Sequence, residues 1–268
     1  MIGIFDSGFG GLTVFKEIKK ALPDYSYVYL GDSLRTPYGG RSQEAIYQFT
    51  QEAVDYLFKQ GCQLVIIACN TSSAEALRKL QQEWLPKHFP DRRILGVIRP
   101  VVETAAKTSR FGRIGVVGTK ATIASEAYIK ELKKQKPDLQ VFQNACPLLV
   151  PLIEEGILKK PETILAVKRC LRPLKEKQID TLILGCTHYP LLMKEFIRIA
   201  GKRVNILDAP KIIAEKLVDY LNRRPEIESK LKKDHQARYL TTNSPDKFEI
   251  LGSKFMGSNI KGEKVELS

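Results

Sequence analysis

Residues 64–71 read Leu-Val-Ile-Ile-Ala-Cys-Asn-Thr, an apolar run that stops at a cysteine and two polar residues. From Leu64 to Ala68 apolar and polar side chains do not alternate, so the run predicts a strand buried on both faces. Such strands belong to parallel sheets covered by helices. The flanks agree: Ser42 caps a helix whose apolar face is Ile46, Phe49, Ala53, Val54 and Leu57, and Gly61 ends it. A helix over Ser72 to Leu85 and a strand over Ile94 to Ile98 follow. On the N-terminal side, Ile2 to Phe5 predicts a strand, Gly8, Gly10 and Gly11 a turn, Leu12 to Ala21 a helix and Tyr27 to Leu30 a strand.

The same alternation resumes further on. Strands are predicted at Arg113 to Val117, Leu139 to Phe142, Thr181 to Leu184 and Arg203 to Leu207. Helices are predicted at Thr122 to Lys136, from Pro147 to Glu155, at Glu162 to Arg172, where Pro173 ends or kinks the chain, and at Leu191 to Ala200. The alternation implies an α/β architecture with mainly parallel sheets flanked by helices. Two segments echo each other. Ile2-Gly3-Ile4-Phe5-Asp6-Ser7-Gly8 resembles Ile114-Gly115-Val116-Val117-Gly118-Thr119-Lys120. Val65 to Thr71 resembles Leu182-Ile183-Leu184-Gly185-Cys186-Thr187-His188. Two similar lobes related by a pseudo-two-fold axis, with the active site in the cleft between them, are the simplest account. The expected division is residues 1–97 plus 208–268 for one lobe and 98–207 for the other. The tail, with a helix opened at Asp208 or Ala209, a strand at Tyr239 to Thr242 and a helix capped at Ser244, is expected to pack back on the first lobe.

Composition narrows the class. The 268 residues are 43% hydrophobic and 27% charged, as in an ordinary globular protein. No apolar run approaches a membrane span, and Asp6 interrupts any signal-peptide core, so a cytoplasmic protein is expected rather than a secreted or membrane one. The absence of an export signal also counts against a periplasmic-type binding module. The net charge is +13. Its lysines lie on predicted helices beside acidic residues, not interleaved with aromatics, which favours solvated faces over a specific nucleic-acid surface. A basic field would also draw in an anionic small substrate. The five cysteines are odd in number and show no CxxC spacing, so a disulfide framework or zinc site is not expected; Cys62, Cys146 and Cys170 read as free thiols.

Open α/β sheets bind ligands beyond the carboxyl ends of their strands. Four such ends are polar here: Asp6-Ser7-Gly8, Gly31-Asp32-Ser33 leading to Pro37-Tyr38-Gly39, Cys69-Asn70-Thr71 and Cys186-Thr187-His188. Cys69 and Cys186 hold the same place in their lobes. Two thiols facing one cleft from opposite sides suit stereoinversion at carbon, one removing a proton and the other returning one. His188 lies two residues from Cys186 and is the candidate acid–base partner; Asp6 is the candidate partner of Cys69, against a helix N-cap role. Ser7, Asn70, Thr71 and Thr187 offer donors to substrate carboxylates, and Gly118-Thr119 with Thr122 forms a second donor-rich turn. Tyr38-Gly39 reads as a loop against the substrate, and equally as a plain turn. Glu154 reads first as a solvated helix-face residue.

On these motifs the chain resembles the glutamate racemases of the cofactor-independent aspartate/glutamate racemase superfamily. The residues that carry the resemblance are Asp6 to Leu12, Gly31-Asp32 through Gly39, Ala68 to Thr71 and Gly185 to Leu192. The resemblance implies interconversion of L- and D-glutamate for peptidoglycan, with Cys69 acting on the D-enantiomer's α-proton and Cys186 on the L-enantiomer's, assisted by Asp6 and His188. It implies substrate contacts from Asp6, Ser7, Tyr38, Gly39, Asn70, Thr71, Thr187 and His188, an accessory place for Thr119 and Glu154, no metal, no cofactor and a homodimer. An aspartate or other acidic amino-acid racemase is the alternative on the same fold. Ser33-Leu34-Arg35-Thr36 and Arg99 depart from the commoner pattern without touching a thiol.

Overall fold

The run that begins at Leu64 forms a strand over Leu64–Ile67, every residue of it buried. In the computed structural model, which describes residues 1–267, it is the third of ten strands. These are Ile2–Asp6 (β1), Tyr27–Gly31 (β2), Leu64–Ile67 (β3), Arg93–Gly96 (β4), Arg113–Gly118 (β5), Gln140–Ala145 (β6), Thr181–Gly185 (β7), Asn205–Ile206 (β8), Ala237–Thr241 (β9) and Gly262–Lys264 (β10). Among the described residues they form two sheets, ordered β10-β9-β2-β1-β3-β4 and β6-β5-β7-β8. Every pairing is parallel, so helices must carry the chain back between strands.

The duplication heard in the sequence is present in the topology. The order β2-β1-β3-β4 in one sheet is matched by β6-β5-β7-β8 in the other. Cys69 follows β3 and Cys186 follows β7, so the two cysteines occupy equivalent strand ends.

The strand pleat sorts the core. Ile2 and Ile4 of β1 and Leu64 and Ile66 of β3 face a core that also contains Ile114, Val116, Leu182 and Leu184 of the second sheet. Phe5, Val65 and Ile67 point the other way, under Ile46, Ala53, Val54 and Leu57 of the helix Gln43–Lys59. Ser42 caps that helix by accepting the N–H of Ala45, as expected. One core therefore runs between the sheets and fixes how their strand ends meet.

Several boundaries differ from expectation. A helix over Ile98–Thr108, which the sequence reading omitted, follows β4; its buried face is Ile98, Val101, Val102, Ala105 and Ala106. Pro100 fits because the first turn's N–H groups need no intrahelical acceptor. The helix expected over 122–136 is two, Lys120–Ala124 and Ala127–Gln135, separated where Glu126 adopts φ 55°. The helix beginning at Pro161 runs through Pro173 to Glu176 instead of ending there. The tail joins the first sheet, β9 pairing with β2 and β10 with β9, while Ala209–Asn222 packs on Leu12–Ala21 and Ile98–Thr108.

The cysteine expectation is overturned. Cys146 and Cys170 are not free thiols but form a disulfide. Cys146 lies just past β6 and Cys170 on the helix Pro161–Glu176, which packs against β6; their Cα atoms stand 5.6 Å apart, within bridging range. The 24-residue separation carries no recognisable spacing, so nothing local announces the pair. Cys62, Cys69 and Cys186 are free and buried.

Candidate active site

Asp6 ends β1 in full burial, and its carboxylate accepts the Gly8 N–H at 3.0 Å. It does not cap the following helix, whose N-cap is Gly11 with no side-chain cap bond. Burial pushes the Asp6 carboxyl up, against the opposing pull of His188, the N–H groups of Gly11 and Gly8, and Thr187. Beside it, the Cys69 sulfur lies 3.5 Å from the Ser7 hydroxyl. Burial, and then the nearby Asp6 charge, push the Cys69 thiol up to about 11; the Ser7 hydroxyl and the Ser72 N–H and hydroxyl pull the other way.

The second cysteine turn has a different electrostatic character. Cys186 Sγ stands 3.9 Å from His188 Nδ1, and His188 Nε2 stands 3.0 Å from Glu154 Oε1. Burial works to lower the His188 pKa, but the Cys186 and Glu154 partners outweigh it and raise it to about 10. Glu154 is thus not a solvated helix-face residue: it ends the helix Leu149–Glu154 with its carboxylate on the imidazole. A proton held by His188 is stabilised between sulfur and carboxylate.

The two turns are stitched together. The Thr187 hydroxyl donates to Asp6 Oδ1 at 3.2 Å, and the Thr13 hydroxyl donates to the Thr187 carbonyl at 2.9 Å. Gly10 lies so close that an added Cβ would stand 2.3 Å from Thr187 Oγ1 and 2.5 Å from His188 Nδ1. Glycine is required there by close approach. On the other side, Thr71 Oγ1 lies 2.9 Å from Thr119 Oγ1 and 3.2 Å from Thr122 Oγ1, while Asn70 Oδ1 accepts the Tyr128 hydroxyl at 2.6 Å. Gly39 presses on Thr119, leaving only 2.6 Å for an added Cβ.

Asp6, Ser7, Cys69, Thr187, Cys186, His188 and Glu154 therefore form one chain of contacts, and Asn70, Thr71, Gly39 and Thr119 a second beside it. Tyr38 is different: its side chain is buried and its hydroxyl bonds Asp32, so only its backbone is left to meet a ligand. Asp32 also accepts the Arg35 Nε at 2.6 Å and the Thr242 hydroxyl at 2.8 Å, which pins the loop from Ser33 to Gly40. Sequence reasoning assigned no role to Asp32, Thr13, Tyr128 or Thr242. The polar strand end at Asp32 was a usable signal; the other three act from two helices and from the turn just past a tail strand, whose approach is set only by tertiary packing. Among the described residues no group of three His, Cys, Asp or Glu side chains is arranged to hold a metal ion. No helix among them is long and apolar enough to cross a membrane.

Two parallel sheets thus bring the paired cysteine turns to one seam. The chain belongs to the Asp/Glu/Hydantoin racemase family, whose model matches residues 2–217. It is 44% identical over 267 residues to a glutamate racemase of Persephonella marina, a match covering 100% of this chain and 97% of that one. Among solved structures it resembles a glutamate racemase isoform of Bacillus anthracis, with TM-score 0.91, 36% identity, and coverage of 100% of this chain and 97% of the other. It also resembles the glutamate racemase of Francisella tularensis in complex with D-glutamate, with TM-score 0.88, 32% identity and coverage of 100% and 97%.

Proposed function

We propose that the chain interconverts L- and D-glutamate by passing the α-proton between two cysteines. The observation that carries this is the equivalence of Cys69 and Cys186, each at the end of the corresponding strand in the repeated order and each followed by polar residues held across the seam. The substrate follows from the relatives, named as glutamate racemases, one of them holding D-glutamate.

Starting from L-glutamate, the Cys186 thiolate takes the α-proton. An S–H bond forms, the C–H bond breaks, and its electron pair passes onto the α-carbon and carboxylate. The Cys69 S–H gives its proton to the opposite face, leaving D-glutamate and a Cys69 thiolate. From D-glutamate the roles reverse, and exchange of protons with water restores the free enzyme. The α-proton is a very weak acid, so donors placed around the carboxylate must stabilise the developing charge. Ser7, Asn70, Thr71, Thr187 and the backbone at Gly39 supply them. His188 holds a proton beside Cys186, steadied by Glu154, and Asp6 governs the charge at Cys69.

Residues 1–97 plus 208–268 form one lobe and 98–207 the other, with the substrate enclosed between them. On the same basis the enzyme is cytoplasmic, acts as a homodimer and supplies D-glutamate for peptidoglycan.

The test is L-glutamate in D2O, followed by circular dichroism and by deuterium at Cα. Wild type should racemise and label the α-carbon, and Cys69→Ser and Cys186→Ser should each abolish racemisation. Full racemisation by either single variant defeats the two-thiol scheme. Faster turnover of L-aspartate than of L-glutamate defeats the substrate assignment.

A further inference from the structure

Tyr128 is a fully buried phenol, the second residue of the helix Ala127–Gln135, and that helix starts just after the left-handed Glu126. The change of direction at Glu126 separates Tyr128 from the preceding helix and lets it reach the seam. Its ring lies against Gly185, the residue before Cys186: an added Cβ on Gly185 would stand 3.1 Å from Tyr128 Cε2 and 2.9 Å from the Val117 carbonyl oxygen. Its hydroxyl reaches the side chain of Asn70, the residue after Cys69, at 2.6 Å. One side chain thus touches the neighbours of both cysteines.

We propose that Tyr128 is a positioning residue for racemisation, holding the Asn70 amide with its Nδ2 toward the substrate while its ring seats Gly185 and the Cys186 turn. This deepens the two-cysteine scheme and rests on it.

A buried phenol must place its hydrogen on an acceptor, and among the described residues Asn70 Oδ1 is the one that Tyr128 meets. An amide that accepts through Oδ1 has both Nδ2 hydrogens left on its other side. Among the described residues those hydrogens have no protein acceptor, so they are free for an anionic ligand. Without the hydroxyl, the amide can turn over and present its oxygen to the substrate carboxylate, an unfavourable contact between two acceptors. Burial also holds the phenol's pKa well above its ordinary value, so the donor persists across the working pH range. The ring contact acts separately: it leaves no room at Gly185 for displacement of the strand end that carries Cys186.

The experiment compares steady-state racemisation by wild type, Tyr128→Phe, Asn70→Ala and the double variant, with thermal melting of each. Tyr128→Phe keeps the ring and removes only the hydroxyl. Loss of one oriented hydrogen bond predicts a rise in KM of roughly five- to tenfold for both enantiomers, with a smaller change in kcat. In the double variant Tyr128→Phe should add nothing to the effect of Asn70→Ala, because the two act as one unit. Tyr128→Ala, which also empties the ring's place, should lower kcat further. An unchanged KM in Tyr128→Phe overturns the proposal, as do effects of Tyr128→Phe and Asn70→Ala that simply multiply, or a loss that tracks melting temperature alone. These outcomes are separate from failure of the two-cysteine scheme, which would show as racemisation by Cys69→Ser or Cys186→Ser.

Discussion

The Thr187 hydroxyl donates to Asp6 Oδ1 across 3.2 Å, a bond that joins the turn after β7 to the turn after β1. The Thr187 carbonyl is held in turn by Thr13, so the residue between Cys186 and His188 is fixed at both ends. Asp6 is also the charge that opposes ionisation of Cys69. One buried carboxylate therefore links the geometry of one cysteine turn to the acidity of the other.

Replacing Asp6 by Asn should make Cys69 more acidic. Burial is the main cause of its elevation to about 11 and remains in the variant, so the value should fall without returning to the ordinary thiol range near about 8.5. The pH dependence of Cys69 alkylation by iodoacetamide, followed by mass spectrometry in a Cys62→Ser, Cys186→Ser background, reads that thiolate without interference from the tyrosines. A midpoint that stays put or rises on Asp6→Asn would exclude the Coulombic link. The same elevation has a stability consequence: a thiol with a raised pKa in the folded state stabilises the fold fully below its unfolded pKa, and that contribution is lost as pH climbs toward about 11.

His188 makes a complementary prediction. Its pKa of about 10 stands on the Cys186 and Glu154 contacts working against burial. Glu154→Gln removes one of those supports, so the imidazolium should lose its proton at lower pH. NMR titration of the His188 ring should show the midpoint moving down, and the alkaline fall in kcat/KM should move with it. Stability from the charged form is complete below the unfolded value near about 6.5 and disappears as pH rises through the folded value, so Glu154→Gln should narrow that window from its alkaline side. A ring that titrates unchanged in Glu154→Gln would show that the 3.0 Å contact does not carry the charge.

Gly10→Ala tests the seam sterically. The new methyl would meet Thr187 and His188 at distances that real side chains do not tolerate, and both belong to the same turn as Cys186. A displacement near 1 Å at reacting groups costs about a hundredfold in rate, so kcat should fall by at least about that much. Gly40→Ala is the control: nothing lies within 4 Å of its added Cβ. Equal activity in the two variants would mean that the seam yields freely.

What was legible in the sequence was what chemistry writes locally. The buried run before Cys69, its echo before Cys186 and the glycines after Asp6 each mark a strand end, and together they gave the parallel architecture and the paired turns. The helix Ile98–Thr108 was legible too, since its buried positions repeat at helical spacing; it was missed because the apolar residues at Ile94 to Ile98 were assigned to one strand. Other features have no local signature. Tyr128 reaches Asn70 only because Glu126 turns the chain, and a left-handed glutamate leaves no trace in composition. Cys146 and Cys170 meet because a helix packs on β6, so their pairing belongs to the tertiary structure. Thr242 reaches Asp32 from the far end of the chain through the pairing of β9 with β2.

Asp180 shows how the second sheet is anchored away from the site. Just before β7, its carboxylate accepts from the Ser109 hydroxyl at 2.8 Å, the Phe111 N–H at 2.8 Å, the Arg113 N–H at 3.2 Å and the Thr181 hydroxyl at 2.6 Å. Burial works to raise its pKa, but these donors outweigh it and hold the carboxyl below its ordinary value. The stabilisation is present above the unfolded carboxyl pKa and lost as pH falls through the folded one. Asp180→Ala strands two backbone N–H groups and should cost about 1–3 kcal/mol at neutral pH. Urea unfolding at pH 7 and again near pH 3 checks the sign: the gap between wild type and variant should shrink in acid. A gap that widens there would mean the carboxylate is not the stabilising species.

The Cys146–Cys170 disulfide gives the last prediction. It ties the start of the segment that carries Glu154 to the helix Pro161–Glu176, and the Cys146 carbonyl accepts the hydroxyl of Tyr189, next to His188, at 2.9 Å. Closing a loop of 24 residues contributes about 3 kcal/mol through the lost freedom of the unfolded chain. Melting with and without dithiothreitol should therefore differ by roughly 5–10 °C for a chain of this size. Cys170→Ser should melt with the reduced protein and ignore the reductant, since Cys62, Cys69 and Cys186 are unpaired. Because both sulfurs are buried, reduction of the folded protein should be slow and should speed up in mild urea. Coincident melting of the oxidised and reduced protein would show that packing of the helix on β6 holds this region without the bond.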